Sequence, residues 1–333
     1  MKSIGMIGCG EIAKLHAACI AETEGLQLKK AFDIEPGAAR QFAEKTGSVC
    51  CQSVEDIFLD RRIDAVYICT RHDTHADLIV AGLDAGKDVF CEKPMAMDLH
   101  ECETIKNALD RSGRKLMIGY NMRFAPMTVA FKQLLRQKNF RPDICQAVMA
   151  TAPFFTSWAG LARQGGGALV CLGSHIFDLL RFLLEDEFSD VLCFQKRIRL
   201  QRPYINNYVR IWAQTEKLTE VEISLHDQAA ASYSFSPCDR VVGLQMHGAG
   251  ATAELFPYAG YGFYEKEART VCQQAVEKQT QAWGYMAESE TFLKVMEGVA
   301  CAYPGFFDGW ADVKMIELAQ QSADTKQWRK REG

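Results

Sequence analysis

The residues with the clearest chemical potential form a glycine-rich turn near the start of the chain. Gly8-Cys9-Gly10-Glu11-Ile12-Ala13 matches the pattern G-x-G-x-x-[G/A], follows a short apolar run and opens a helical pattern. Gly8 permits a tight turn, Gly10 lets a pyrophosphate approach the backbone, and Ala13 allows close packing of helix on strand. The N–H groups at the helix N-terminus favour phosphate. The sequence therefore predicts a dinucleotide site, with an ordinary strand–helix turn as the alternative.

An acidic residue follows the next apolar run at the distance that such a site requires. Asp33 ends the run that begins at Leu26. A carboxylate there accepts hydrogen bonds from the adenosine ribose and repels a 2′-phosphate, which favours NAD. The alternative is a loop or helix-cap aspartate before Pro36. Arg40 lies about one helical turn further on and keeps NADP open as a second choice.

A lysine lies where the fourth predicted strand ends. Cys91-Glu92-Lys93-Pro94 follows the strand pattern that begins at Asp88. Ligands of open parallel sheets bind at the carboxyl ends of the strands, so Lys93 stands where chemistry is expected. An ammonium beside a hydroxyl stabilises the alkoxide that develops as hydride leaves the carbon. Pro94 is a candidate for a cis peptide bond. The alternative for Lys93 is a surface residue paired with Glu92.

The elements that must position these residues alternate regularly in the first third of the chain. Apolar runs predict strands, and amphipathic stretches predict helices between them. Such alternation is typical of a doubly wound parallel sheet, a Rossmann domain, with right-handed crossovers. The predicted strands are Ile4–Ile7, Leu26–Phe32, Asp64–Cys69, Asp88–Cys91 and Lys115–Gly119, and the predicted helices are Ile12–Glu22, Ala38–Thr46, His75–Ala85 and Leu99–Arg111.

The pattern changes beyond about Asn121 to one in which apolar and polar residues take turns. This indicates an α+β domain with a mainly antiparallel sheet that is covered on one face. The predicted strands are Ile144–Thr151, Val191–Leu200, Asn207–Gln214, Leu218–Leu225, Val241–His247 and Ala251–Phe256, and the predicted helices are Pro126–Gln137, Gly167–Leu184, Trp283–Glu297 and Gly309–Ser322. We expect domains at 1–122 and 123–323, then a charged tail, 324–333, that frays.

Composition narrows the class of protein. The 333 residues carry a formal net charge of −4, which gives no electrostatic reason to expect nucleic acid or an anionic membrane as a partner. No apolar run approaches the roughly 18 residues of a membrane helix, and no signal peptide is expected. Thirteen cysteines lie scattered without a C-x-x-C pair, which favours a reducing cytoplasm. The vicinal pair Cys50-Cys51 is open to redox or metal chemistry as a minor alternative.

Further motifs extend through the first two-thirds of the chain. They are Gly8–Ala13, His16, Asp64–Ile68 followed by Thr70 and His75, Ala85–Lys87, Glu92–Pro94, Gly119–Phe124, Trp158, Gly165–Gly167 and Gly173–Asp178. Together they resemble the glucose–fructose oxidoreductase/inositol dehydrogenase/MocA-like family. The resemblance implies an oxidoreductase acting on sugars, inositols or related polyols. It also implies that the sheet of the C-terminal domain is large and open and that a homodimer or homotetramer forms through it. The cofactor contacts expected are Gly8, Cys9, Gly10, Glu11, Ile12, Asp33, Thr70, His72, His75, Glu92 and Lys93.

The resemblance also implies a catalytic trio, from which this chain departs at one position. Members place an aspartate and a histidine four residues apart, which complete the site with the lysine. Here the histidine is His175 and the aspartate position is Cys171. Residues four apart share a helical face, and a histidine can take or return the hydroxyl proton. A neutral cysteine neither orients the imidazole well nor favours its charged form.

Three interpretations of Cys171 stay open. Lys93 and His175 act alone on a substrate that supplies its own orienting group, which we favour; or Cys171 acts as a thiolate; or the site is degenerate and binds cofactor without turnover. Asp178 is a candidate to orient His175, or else pairs with Arg181 or His175 structurally. A zinc site at Cys171, His175 and Asp178 lacks a fourth ligand, so no metal is expected.

The substrate pocket is expected between the two domains. Its candidate contacts are Tyr120, Asn121, Arg123, Phe155, Trp158 and Asp178. Plain core packing is the alternative for Phe154, Phe155 and Trp158. An aromatic face suits a sugar ring, and an arginine suits a carboxylate or phosphate. Arg71 and His72 stand where the family often has proline and asparagine, so His72 either contacts the nicotinamide ribose or caps the next helix. The leading hypothesis is an NAD(P)-dependent oxidoreductase, and the alternative is a non-catalytic dinucleotide-binding sensor.

Overall fold

The computed structural model describes residues 1–229, 240–273 and 278–331 and divides into two compact units. The first unit comprises 1–121 and 284–313, and the second comprises 122–283 and 314–333. This division differs from the contiguous boundary expected after residue 122, because the chain returns to the first unit after building the second. The sequence pattern of a helix near the end of the chain does not show which unit that helix packs against, so the return could not be predicted.

The first unit is built on a six-stranded, wholly parallel sheet. The strand order β3-β2-β1-β4-β5-β6 is that of a Rossmann fold, so the predicted fold class is confirmed. The strands β1, β4, β5 and β6 are largely apolar and mostly buried, as strands covered by helices on both faces must be. The strands are β1 (Lys2–Ile7), β2 (Leu26–Phe32), β3 (Val49–Cys50), β4 (Ala65–Ile68), β5 (Asp88–Glu92) and β6 (Leu116–Gly119).

Five helices connect these strands. Each predicted helix is present within two residues of its expected bounds, and a short one before β4 was not predicted. Asp98 caps the last of them by accepting the N–H of Glu101 at 2.8 Å. The helices are α1 (Glu11–Glu22), α2 (Pro36–Thr46), α3 (Glu55–Phe58), α4 (His75–Asp84) and α5 (Leu99–Ser112).

The second unit is built on a nine-stranded sheet in which one pair of neighbours is parallel and the others are antiparallel. The strand order is β14-β13-β12-β11-β7-β10-β9-β8-β15, with the parallel pair at β7 and β10. The mainly antiparallel sheet is therefore confirmed. The strands are β7 (Ile144–Thr151), β8 (Phe188–Lys196), β9 (Tyr208–Thr215), β10 (Glu220–His226), β11 (Arg240–Gly248), β12 (Ala251–Phe256), β13 (Gly260–Glu265), β14 (Ala268–Gln273) and β15 (Arg329–Lys330).

The last strand corrects the expectation of a frayed tail. Arg329 and Lys330 pair with β8, and the N–H of Arg331 donates to the carbonyl of Ser189 at 2.7 Å. The guanidinium of Arg331 also contacts Glu187 at 3.0 Å. Backbone pairing with an edge strand holds this segment, although its charged composition resembles that of a disordered terminus.

Among the described residues of the second unit, four α-helices lie wholly within it: α6 (Pro126–Gln137), α7 (Gly167–Cys171), α8 (Gly173–Leu184) and α9 (Gln279–Ala282). The helix expected at Gly167–Leu184 is interrupted at Leu172. By length and composition this stretch is apolar enough to cross a membrane, so the expectation that no run approaches that length is wrong here. Most of it is buried, because Phe177, Leu179 and Leu180 pack in the core.

Two helices close the chain. In the first unit, α10 (Tyr285–Met296) lies against α1, with the ring of Tyr285 5.4 Å from that of His16 and Phe292 5.5 Å from Tyr67. The division between the units falls within α11 (Phe306–Thr325), after Val313. Both helices were predicted, but not that α10 completes the nucleotide-binding unit.

Candidate active site

The glycine turn has two glycines that the protein needs for different reasons. Gly8 has φ +87°, and a Cβ there would lie 2.4 Å from the carbonyl oxygen of Cys69, so the fold itself requires glycine. Gly10 precedes α1 with an ordinary φ of −75°, and a Cβ there would meet none of the described atoms within 4 Å. Protein packing does not explain Gly10, whereas close approach of a pyrophosphate to the α1 N-terminus does.

Asp33 lies directly beside this turn. One carboxylate oxygen accepts the N–H of Cys9 at 2.7 Å, and the other accepts the N–H of Glu35 at 2.9 Å. Burial, with the nearby Asp33 charge, raises the pKa of the Cys9 thiol to about 12, so this cysteine is a neutral packing group. Arg40 is exposed on α2. The carboxylate thus stands at the end of β2 where a ribose would reach it.

Glu92, at the end of β5, forms a buried pair with a histidine of α1. Its Oε1 lies 2.8 Å from Nε2 of His16, which is fully buried. Its Oε2 accepts the N–H of Lys93 at 3.3 Å. Burial opposes ionisation, but the hydrogen bond with His16 and nearby positive charge hold the pKa of Glu92 below its ordinary value. The Glu92 side chain therefore stays in place beside the half-buried Lys93 and does not project to solvent.

His75 connects the turns that follow two neighbouring strands. Its Nδ1 lies 2.7 Å from the carbonyl oxygen of Pro94, and its Nε2 lies 3.2 Å from that of Thr70. A carbonyl only accepts, so the shorter contact requires hydrogen on Nδ1. Burial lowers the pKa of His75 despite these contacts. The peptide bond between Lys93 and Pro94 is cis, which confirms that prediction.

The remaining residues of the cofactor-side loop lie close to His75. His72 begins a 3₁₀ turn, is buried, and has its ring 5.8 Å from the ring of His75. Thr74 precedes α4, so capping of that helix by His72 is not what the structure shows. Thr70 and Thr74 share a hydroxyl–hydroxyl hydrogen bond of 2.7 Å. Glu11 pairs with Lys14 on the exposed side of α1.

In the second unit, Cys171 and His175 lie on either side of the helix interruption. Cys171 ends α7, and His175 is the third residue of α8; both are buried. Leu172 keeps a right-handed helical conformation, and its N–H donates to the carbonyl of Ala168 at 3.0 Å. The four-residue spacing thus spans two short helices and not one continuous turn.

Arg123 and Asp178, both expected to contact substrate, bind each other. Arg123 donates from Nε and Nη2 to both carboxylate oxygens, at 2.5 to 3.0 Å, and Asp178 is almost fully buried. The guanidinium also lies 5.3 Å from the ring centroid of Phe182. Arg181, which was considered as a partner of Asp178, pairs with Glu187 at 2.6 Å. The pair fixes the segment after β6 to α8, one turn beyond His175.

The other substrate candidates have different surroundings. Tyr120 is 1% exposed in the core of the first unit and donates its hydroxyl to Asp312 at 2.8 Å, a placement that supports packing more than substrate contact. Asn121 is also buried. Trp158 begins a 3₁₀ turn and is half-buried. Within the described ranges, no group of three or more His, Cys, Asp or Glu side chains is arranged to hold a metal ion.

Sequence reasoning did not assign roles to His16 and Asp312. His16 was noted only as part of a family motif, and its partner is 76 residues away. The only sequence signal for His16 was a polar residue on the apolar face of α1. The described cysteines are all free, Cys50 and Cys51 included.

Two family models cover most of the chain. Residues 2–120 match "Oxidoreductase family, NAD-binding Rossmann fold", and residues 146–330 match "Oxidoreductase family, C-terminal alpha/beta domain". The chain belongs to this Gfo/Idh/MocA oxidoreductase family. The resemblance is confirmed, and the first unit contains the NAD-binding Rossmann domain of this family. Gly10, Asp33 and the free end of α1 fit that cofactor.

Individual relatives are similar over different extents. An inositol 2-dehydrogenase of Rhizobium meliloti is 32% identical over 185 residues, 55% of each chain. Another, of Acidothermus cellulolyticus, is 25% identical over 96% of this chain and 92% of its own. The matches to several relatives thus span only about half of their length. A solved levoglucosan dehydrogenase with NADH and levoglucosan shares the fold, with TM-score 0.86, 18% identity and 99% of each chain covered.

Proposed function

We propose that this oxidoreductase transfers hydride between NAD and a hydroxyl or carbonyl carbon of a sugar, polyol, inositol or derivative. The observation that carries the proposal is the Glu92-Lys93-Pro94 turn at the carboxyl end of β5. His16 holds its first residue and His75 holds its last, within a domain of the NAD-binding family. Bound NAD supplies the hydride acceptor. The names of the relatives, inositol 2-dehydrogenases among them, support the substrate class.

The protein's own side chains divide the remaining work. The Lys93 ammonium stabilises negative charge on the substrate oxygen as hydride leaves the carbon. His175 takes the hydroxyl proton in oxidation and returns it in reduction. Cys171 stands in place of the family aspartate, so the substrate itself provides the group that orients His175. Glu92 keeps the backbone of Lys93 fixed through its 3.3 Å contact.

The test is turnover with NAD and a panel of polyols, sugars and sugar acids, read as growth of the reduced nicotinamide absorbance. Reduction of the matching carbonyl compounds with NADH completes the panel. Lys93→Met removes the ammonium with little change in size, and we expect kcat to fall by about 10²–10³, as for loss of one donor to a developing oxyanion. NADH binding should persist. Tight cofactor binding with no turnover across the panel would contradict the proposal and favour a sensor.

Cys171→Asp restores the family residue and separates the interpretations of this position. A rise in kcat would indicate a weakened enzyme. A fall in kcat would indicate that the cysteine suits the substrate that this chain uses. His175→Gln in the same assay should remove most of the pH dependence of kcat, since glutamine does not titrate.

We also propose that the chain forms a homodimer or homotetramer through the open face of its nine-stranded sheet. Strand register places five exposed apolar side chains on that face, and the rings of two of them, Phe194 and Trp212, lie 5.8 Å apart. Exposed aromatic pairs of this kind are typical of interfaces. The five side chains are Ile144, Phe194, Trp212, Phe256 and Val271. Light scattering after size exclusion should give a multiple of 37.3 kDa, and Trp212→Glu with Phe194→Glu should give the monomer.

A further inference from the structure

A strongly basic loop joins β8 to β9 in the second unit. Lys196, Arg197, Arg199 and Arg202 are all exposed, and Arg163 is exposed in the loop that follows Trp158. The whole chain has a formal net charge of −4, so this loop has the opposite sign of charge to the protein as a whole. Local reversal of charge on a surface raises the local concentration of anions.

The surroundings of this loop contain few acidic residues. The sequence has no Asp or Glu in 144–177 or in 191–215. The nearby Asp227 is buried and accepts neutral donors, the N–H groups of Phe154 and Phe155 and the amide of Asn207. Among the described residues, none of the ion pairs involves Arg163, Lys196, Arg199 or Arg202. No described carboxylate therefore competes with an external anion for these four cations.

The basic loop contacts the start of α7, the helix that ends at Cys171. The N–H of Ala168 donates to the carbonyl of Asn206 at 3.2 Å, and the N–H of Ile205 donates to that of Gly160 at 2.9 Å. A Cβ on Gly167 would lie 2.7 Å from the oxygen of Asn206, so the contact is close. Five helical residues span about 7.5 Å. The loop thus lies near the helix pair that carries Cys171 and His175.

The loop is braced from within. Asn207 is fully buried, and its side chain both accepts the N–H of Ile198 at 2.8 Å and donates to the carbonyl of Ile198 at 3.1 Å. Arg197 donates to the carbonyl of Tyr204 at 3.3 Å. A loop whose two sides are tied together loses less entropy when its arginines bind a ligand.

We propose that the substrate of this site carries a carboxylate or a phosphate, which Arg199 and Arg202 bind while Arg163 adds positive field. Guanidinium groups match both oxyanions with paired hydrogen bonds. Cys171 contributes to the same selectivity, because a neutral residue removes a carboxylate that would repel an anionic substrate. The inference rests on the proposed function in taking the Cys171 and His175 helices as the substrate side.

Calorimetry with NADH-loaded full-length protein tests the proposal without relying on turnover. The probes are gluconate, glucose 6-phosphate and the neutral myo-inositol. We expect one of the two anions to bind at least about tenfold more tightly than myo-inositol, and high salt to weaken only the anion. The stronger anion identifies the carboxylate or the phosphate as the group recognised.

Two variants and a matched control assign the binding to this loop. Arg199→Gln and Arg202→Gln should each weaken the anion about tenfold, as expected for loss of a charge-assisted hydrogen bond, and leave myo-inositol unchanged. Arg141→Gln makes the same charge change at an exposed position that precedes β7, at the other end of that strand from the basic loop. It should alter neither the affinity for the anion nor the affinity for myo-inositol.

The outcomes separate this proposal from the reaction. The anion subsite is overturned if neither anion binds, or if the anions bind the two loop variants as tightly as they bind the wild type. This conclusion does not depend on which substrate the enzyme turns over. If an anion binds with dependence on Arg199 and Arg202 but no probe is oxidised or reduced, the subsite stands and the oxidoreductase proposal loses its support.

Discussion

Two buried carboxylates lie beside the candidate catalytic residues of the two units, and they are held in different ways. Glu92, next to Lys93, pairs with the titratable His16 at 2.8 Å. Asp178, one turn beyond His175, pairs through two guanidinium nitrogens with Arg123. The guanidinium of Arg123 contacts both oxygens of its carboxylate, whereas the imidazole of His16 contacts one. The carboxylate of the second unit is therefore held by a two-point ion pair, and that of the first unit by a single side-chain hydrogen bond.

This difference also sets the expected cost of breaking each pair. The side chain of Asp178 is 1% exposed and loses both guanidinium donors if Arg123 is removed. Glu92 loses one side-chain hydrogen bond if His16 is removed.

The largest expected effect is that of Arg123→Met. Removing one partner of a buried pair typically costs about 3–5 kcal/mol, because the other charge stays buried. The measurement is the free energy of unfolding from denaturant titration at pH 7. Arg136→Met is the matched control, since it pairs with Glu185 on the surface and should cost no more than about 1 kcal/mol. Equal costs for the two variants would contradict the buried-pair interpretation.

His16→Leu should cost less, about 1–3 kcal/mol, as expected for a buried acceptor that loses its hydrogen bond. In the wild type the pKa of Glu92 is depressed, so its contribution is present above the unfolded pKa of about 4.3 and lost as pH falls through the folded pKa. In the variant the pKa of Glu92 in the folded state is higher, because its burial remains while its hydrogen bond with His16 is gone. The difference in unfolding free energy between the two proteins should therefore widen as pH rises from about 4.

The exposed His100 provides the control for that experiment. His100→Leu removes an imidazole without touching Glu92, so its difference from the wild type should not widen with pH in the same way. A constant difference for His16→Leu would show that His16 does not govern the ionisation of Glu92.

His75→Asn should cost about 1 kcal/mol at pH 7, as for one hydrogen bond. Because burial lowers the pKa of His75 in the fold, the unfolded chain binds the proton more readily. Wild-type stability is then lost as pH falls below about 6.5 toward the folded pKa. The variant should lack this part of the slope between pH 5 and 7 (about the range in which histidine titrates). An unchanged slope would contradict a depressed His75 pKa.

The smallest expected change in stability is that of Gly10→Ala, below about 1 kcal/mol, because no described atom lies within 4 Å of the new methyl group. NADH affinity, followed by fluorescence, should fall about tenfold, which corresponds to about 1.4 kcal/mol. Gly37→Ala, in the first turn of α2 and equally open, should change neither quantity much. Full NADH affinity in Gly10→Ala would remove Gly10 from the cofactor site.

Much of the fold follows from local patterns in the sequence. The bounds expected for Leu26–Phe32, Pro126–Gln137, Ile144–Thr151 and Ala251–Phe256 agree with the structure. Each combines clear periodicity with a boundary signal such as Pro126. The hairpin of β13 and β14 was missed because β14 is mostly exposed and lacks an apolar face, so backbone pairing alone defines it. The break at Leu172 was missed because the apolar run continues through it.

The candidate site also has parts that local sequence patterns predict and parts that they do not. The glycine turn, Asp33 and the Glu-Lys-Pro turn are contiguous motifs whose chemistry can be stated from residue type and spacing. Arg123 and Asp178 were expected to contact a substrate, but they form an ion pair with each other although they lie 55 residues apart in the sequence. Tyr120 was placed in the pocket, and its hydroxyl instead contacts Asp312 across 192 residues.

The sequence by itself determined which segments fold into a nucleotide-binding sheet, where its glycine turn lies and which residues bear reactive groups. These are properties of neighbours along the chain, set by backbone freedom and the periodicity of apolar side chains. Only the tertiary structure decided that His16 holds Glu92, that Arg123 holds Asp178 and that the basic loop lies against α7. The reason is that a buried charge is stabilised by whichever partner folding brings within 3 Å or so, and sequence separation carries no record of that distance.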